Sequence, residues 1–153
     1  MEPRINFYKA APDAIAAMTG LEHAVNQSGL EASLRELVKL RVSQINGCAY
    51  CIDMHSKDAR AAGETEQRIY ALNAWRETPF FSERERAALE WAERITHIGV
   101  DHAPDDVFFH ARQYFSETEL VNLTLTIVAI NGWNRLAIAF RSVPGSYQPK
   151  TAV

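Results

Sequence analysis

Two cysteines three residues apart, Cys48 and Cys51, stand with His55 in "INGCAYCIDMH", and the chain contains no other cysteine. Thiols at this spacing cycle between dithiol and disulfide, bind a metal, or fill a helix core. On an α-helix turning about 100° per residue, Cys51 lies about 300° and His55 about 340° round from Cys48, so the three side chains share an arc of roughly 60°. They can meet. A helix beginning after Asn46-Gly47 places Cys48 in its first turn, where free N–H groups and the helix dipole favour a thiolate. His55, one turn beyond Cys51, is placed to accept that thiol's proton and so form a nucleophile–base pair. The dipole points to Cys48 as the nucleophile and the imidazole to Cys51. A proton acceptor does more for turnover than a partial charge, which favours Cys51.

Glu36 precedes Cys48 by twelve residues. If the chain folds back at Gly47, antiparallel helices bring this carboxylate beside His55, where it would orient the ring and hold the imidazolium. A competing reading pairs it with Ser33, three residues earlier, as a capping box. Tyr50, between the cysteines, points about 160° away from Cys48 on a regular helix and is the weakest candidate. A zinc-stabilised, non-catalytic helical module is the rival reading, because Cys48, Cys51 and His55 with a carboxylate would complete a tetrahedron. Three ligands packed into two turns of one helix fit zinc poorly, and the chain has no second CxxC and no HxxxH. His102, the one tempting extra ligand, falls in a solvated loop. The expectation is therefore no metal and no cofactor.

The elements that must hold these residues read as helices. Leu34, Leu37, Val38, Val42 and Ile45 recur at three- and four-residue steps and form one apolar stripe. Helical patterns also cover residues 13–27, 48–62 with Gly63 as a stop, and 65–75. "SERERAALEWAERI" opens with Ser82 and Glu85 at capping-box spacing, and Ser116 and Glu119 repeat it ahead of the apolar run 120–140. Pro104, Asp105 and Asp106 suit a first turn. The pattern predicts about seven helices in an all-α bundle, one domain over residues 1–153, ending in an irregular tail "SVPGSYQPKTAV". Trp91, Trp133 and Phe140 read as core or interface residues, and His23, His97 and His110 as surface or half-buried ones.

Composition narrows the function. Hydrophobic residues at 47% and charged residues at 23% are the values of a folding chain. A net charge of −3 with no Lys/Arg run argues against nucleic acid as a partner. The apolar run 120–140 carries Asn122, Asn131, Asn134 and Arg135, which would be costly in lipid, so it reads as a buried helix and not a membrane span. The N-terminus lacks a long apolar segment behind a basic flank, which points to the cytoplasm, where paired thiols are kept reduced.

"ELVKLRVSQINGCAYCIDMH", with Glu36, Cys48, Cys51 and His55 in the pattern E-x11-C-x-x-C-x3-H, resembles the alkylhydroperoxidase D-like branch of the carboxymuconolactone decarboxylase family. "FSERERAALEWAE" and "NGWNRLAIAFR" are similar to that group as well. The resemblance implies an all-α fold, trimers or hexamers, and a thiol-dependent peroxidase that reduces organic hydroperoxides at the expense of an external dithiol. By position, His55 supported by Glu36 would deprotonate Cys51, and Cys48 would resolve the resulting sulfenic acid as an intramolecular disulfide. The alternative is a redox adaptor, a disulfide reductase serving a separate peroxiredoxin. Decarboxylation, the activity that names the wider family, needs no paired thiols. Where the best-studied members carry a second histidine between the cysteines, this chain has Tyr50, a poor base near neutral pH, which implies a shorter relay.

Overall fold

The buried stripe of Leu34, Leu37, Val38 and Val42 builds a helix over Ala32–Asn46, around which the others pack. The computed structural model describes residues 1–149; the expectation of an irregular tail also covers residues 150–153, which lie outside the described residues. Among the described residues the helices in chain order are α1 (Phe7–Ala10), α2 (Pro12–Asn26), α3 (Ala32–Asn46), α4 (Ala49–Ala61), α5 (Glu66–Ala71), α6 (Glu83–Thr96), α7 (Ile98–Asp101), α8 (Asp105–Tyr114) and α9 (Glu117–Phe140), with a 3-10 segment at Leu72–Glu77 continuing α5. No strand occurs among these residues, so the fold is all-α. The helix count differs from the expected seven by α1 and α7, each a single turn of four residues too short to show a periodic pattern.

Both anticipated capping boxes form. Ser82 accepts from the Glu85 N–H while Glu85 accepts from the Ser82 N–H, and Ser116 and Glu119 do the same. α9, at 24 residues, is long and apolar enough to cross a membrane. It serves instead as a core helix against α2, α3, α4 and α6, with Leu123, Ile127 and Ile130 buried and Asn134 buried among hydrogen-bond partners. α2 approaches α9 closely where Gly132 leaves room for the Met18 side chain.

The junction that matters for function is Gly47. It adopts φ +67° as the left-handed cap of α3, its N–H returns to Gln44 and Ser43, and α4 then starts alongside α3. A Cβ at Gly47 would meet no neighbouring atom, so the requirement is purely one of backbone conformation. We predict that Gly47→Ala destabilises the fold by about 1 kcal/mol, with Gly47→Asn costing less, in urea unfolding followed by far-ultraviolet circular dichroism. An unchanged midpoint for Gly47→Ala would contradict this.

Candidate active site

α4 begins with a sulfur as its cap. Cys48 has extended backbone angles, φ −82° and ψ 94°, and its Sγ accepts from the Cys51 N–H at 3.4 Å. The cysteine expected in the first turn thus sits one position earlier, at the cap, still among the free N–H groups. Capping turns the Cys48 side chain toward Cys51, and the two sulfurs lie 2.7 Å apart as free thiols, 1% and 2% exposed. A disulfide, with sulfurs about 2.05 Å apart, needs only a small side-chain movement from here.

The two thiols differ in acidity. Cys48 is pulled down to about 7, first by the hydrogen bond shared with the Cys51 thiol, then against burial by the backbone N–H groups of Cys51 and Tyr50 and the side chain of Asn134. Cys51 moves upward, because it shares its proton with Cys48, is buried, and lies beside the Cys48 charge. The first proton of the pair therefore leaves near neutrality, and the charge settles on the capping sulfur. Asn134 is itself fully buried and fixed: its Oδ1 accepts from Asn46 Nδ2 at 2.9 Å and its Nδ2 donates to Ser43 Oγ at 3.1 Å.

One turn on, His55 is buried and its Nδ1 lies 2.8 Å from Glu36 Oε2. The fold-back at Gly47 delivers this carboxylate from α3, an arrangement that the sequence allows without requiring. The capping-box alternative for Glu36 does not form: α3 starts from Glu31 with no side-chain cap, and Ser33 lies inside the helix. Burial pushes the Glu36 carboxyl up, but the His55 hydrogen bond and charge, followed by the charge of Lys39, outweigh it and hold Glu36 below the usual range. An ionised Glu36 accepts the proton of Nδ1–H, which leaves Nε2 as the basic nitrogen of the ring.

Cys51, His55 and Glu36 border one cavity of about 670 Å³, and Cys48 is not part of its wall. Tyr50, the weakest of the sequence candidates, does line it and is half-buried. Trp133 and Phe140, expected in core or interface, form part of its apolar side with Phe7, Met54 and Ala137. Trp91 is buried, donating from Nε1 to Thr124 Oγ1 at 2.9 Å. His102, His23 and His97 are exposed, and His110 is half-buried against Glu90.

The C-terminal segment closes one edge of the cavity. Lys57 Nζ donates to the Gly145 and Tyr147 carbonyls, the Gly145 N–H donates to Asp53 Oδ2 at 3.0 Å, and the Tyr147 hydroxyl donates to Asp58 Oδ1 at 2.7 Å. Burial and this bond push the Tyr147 hydroxyl upward, so it stays a donor. Glu36, His55 and Asp58 place one potential metal-ligand atom each within 4.8 Å of one another, but Glu36 serves His55 and Lys39, and Asp58 serves Tyr147. The sulfurs do not join that group; they face each other.

Sequence reasoning missed Asn134, Asp58, Tyr147, Glu22 and Lys39. Tyr147 and Asn134 arrive from 92 and 83 residues beyond His55 and Cys51 in a way no local spacing encodes. Lys39 did leave a signal, a lysine set among Leu37, Val38 and Leu40 on the buried side of α3.

Residues 12–94 match the carboxymuconolactone decarboxylase family. The chain is 48% identical to the uncharacterized protein YdfG of Bacillus subtilis over 139 residues, 91% of this chain and 95% of that one. It superposes with TM-score 0.92 and 47% identity on the crystal structure of an Agrobacterium tumefaciens protein of unknown function with a suggested antioxidant-defence role of the AhpD kind, covering 95% of this chain and 100% of that one. A shorter match, 44% identical over 45 residues, 29% of this chain and 25% of the relative, is to alkyl hydroperoxide reductase AhpD of Bradyrhizobium diazoefficiens. The chain belongs to the carboxymuconolactone decarboxylase family. Within it, the helical arrangement and the Glu36, Cys48, Cys51, His55 pattern put it in the AhpD-like branch.

Because the Cys48 shift is downward, its thiolate accumulates as pH rises through about 7 and is lost below that. Thiolate ultraviolet absorbance in the reduced protein is expected to show one half of the pair titrating near 7. In Cys51→Ala the largest cause disappears and the Cys48 midpoint rises. A Cys48 midpoint unmoved in that variant would contradict the assignment.

Proposed function

We propose that the chain is a thiol-dependent peroxidase that reduces organic hydroperoxides, with Cys51 as the attacking sulfur, Cys48 as the resolving sulfur, and His55 held by Glu36 as the base. The observation that carries this reading is the asymmetry of the pair: the cavity reaches Cys51 beside His55, while Cys48 stands behind it as an acidic helix cap. His55 Nε2 takes the Cys51 proton. The thiolate attacks the terminal peroxide oxygen, forming an S–O bond as the O–O bond breaks, and the leaving alkoxide takes its proton from the imidazolium. Cys48, whose low pKa lets it shed its proton near neutral pH, then attacks the sulfenic sulfur; the departing hydroxide takes up that proton as water, and a disulfide remains.

Reduction uses the same asymmetry in reverse. An external dithiol attacks the cavity-facing Cys51 sulfur and expels Cys48, whose low pKa makes it the better leaving group. The net change is one hydroperoxide and one dithiol to one alcohol, one water and one external disulfide. A carrier role toward a separate peroxiredoxin would require these sulfurs to reach another protein's disulfide, and burial at 1% and 2% favours a small molecule entering a cavity. A reducing compartment such as the cytoplasm suits this cycle.

The chain also works as a homo-oligomer, a trimer or hexamer, in this reading. Val121, Leu125 and Val128 repeat along the outer face of α9, and with Phe108 and Phe109 of α8 they leave an apolar surface exposed. Sedimentation is expected to show a species several times 17.2 kDa, and a monomer alone would refute it.

Hydroperoxide consumption with a dithiol reductant tests the catalytic proposal. Cys51→Ser, Cys48→Ser and His55→Ala each abolish turnover to within about a hundredth of the parent or less, and Glu36→Gln lowers it by about tenfold or more. Parent turnover retained in both Cys51→Ser and His55→Ala would overturn it.

A further inference from the structure

Three carboxylates, Glu22, Glu36 and Asp58, border the same cavity as His55. Such an excess of negative charge favours the imidazolium, and an imidazolium cannot accept the Cys51 proton. One cation among the described residues lining the cavity opposes it, Lys39. Lys39 follows Glu36 by one turn of α3, and its side chain is 3% exposed. Its Nζ lies 2.5 Å from Glu22 Oε1 on α2, 3.2 Å from Asn26 Oδ1 and 3.5 Å from Glu36 Oε1. The ammonium is thus divided between a carboxylate of α2 and the carboxylate that receives His55. Burying an ammonium is costly even when paired, and an apolar side chain between Leu37, Val38 and Leu40 would pack here without that cost. Packing does not account for it.

We infer that Lys39 is a positioning residue of the proton relay: acting through Glu36, it offsets the surrounding carboxylates and lowers the proton affinity of His55, which frees the ring to take the Cys51 proton. This rests on the reading above in which His55 is the base for Cys51. The other ionisable groups on the cavity wall are Asp58 and Cys51 on α4, Tyr147 from the C-terminal segment, and Tyr8 and Tyr50. α9 contributes Trp133, Ala137 and Phe140, none of them charged. The balance between Glu22 and Glu36 sets how much of the Lys39 charge His55 feels. Strengthening the hold of Glu22 raises the ring's proton affinity, and weakening it lowers that affinity.

Carbon–proton NMR titration of the reduced full chain reads the His55 ring directly, with His23, His97, His102 and His110 as internal references. Lys39→Met is expected to raise the His55 midpoint by about one pH unit, the effect of removing a unit charge at this range in a partly buried setting. Lys39→Arg restores the parent midpoint. Glu22→Gln, which releases Lys39 toward Glu36, moves it the other way, downward. Opposite shifts in Lys39→Met and Glu22→Gln support the assignment; a His55 midpoint unmoved in either, or moved in the same direction in both, overturns it. Should Lys39→Met fail to fold, Lys39→Gln takes its place, a raised His55 midpoint supporting the assignment and an unmoved or lowered one overturning it. The titration follows a proton and not turnover, so an absence of peroxidase activity would defeat the proposed function and leave this result standing.

Discussion

The site descends from one constraint, the use of a sulfur to cap α4. A helix start leaves N–H groups without partners, and Cys48 supplies the acceptor that a serine or aspartate would ordinarily provide. The same contact turns its sulfur toward Cys51, whose thiol does most to make Cys48 acidic while the cap N–H adds to it, so capping, the close approach of the two sulfurs and thiolate formation are one arrangement. Gly47 makes it possible, because the left-handed turn at this residue ends α3 and starts α4 alongside it. The helix pair that results also carries Glu36 to His55.

Around this start the protein holds ionic groups that a core excludes unless they are paired. Glu36 bridges α3 to His55 on α4, Lys39 bridges α3 to Glu22 on α2, and Tyr147 ties the C-terminal segment to Asp58. Three helices and the tail are thereby cross-linked by charge-assisted hydrogen bonds converging on one cavity. The apolar side comes largely from α9 and from the N-terminal segment with α1, with Trp133, Phe140, Ile5 and Phe7 joined by Met54 of α4 facing those polar groups. A hydrophobic body with a reactive polar end fits such a wall better than a compact polar molecule.

Much of this was legible in the sequence, for physical reasons. The all-α class follows from apolar residues at three- and four-residue spacing, and the starts of α6 and α9 follow from Ser82 with Glu85 and Ser116 with Glu119, since capping is local chemistry. Cys48, Cys51 and His55 share a helix face by geometry alone. Glu36 was reachable on condition of a reversal at Gly47, which brings back a residue about that far upstream. Asn134, Asp58 and Tyr147 were not reachable, because their positions are set by how α9 and the tail dock. Trp133 and Phe140 were read as core or interface residues for the same reason: an aromatic residue against the bundle and one against a cavity inside it have the same pattern. α1 and α7 are single turns fixed by their surroundings.

The central claim is that two sulfurs served by one imidazole open and close a covalent bridge when they meet a peroxide. Intact-protein mass spectrometry with thiol counting, before and after one equivalent of an organic hydroperoxide, reads this without any assumption about the reductant. The account predicts a loss of two hydrogens, both thiols gone, and full recovery on adding a dithiol. Two free thiols remaining after peroxide, or a stable mass gain of oxygen with no bridge, would contradict it.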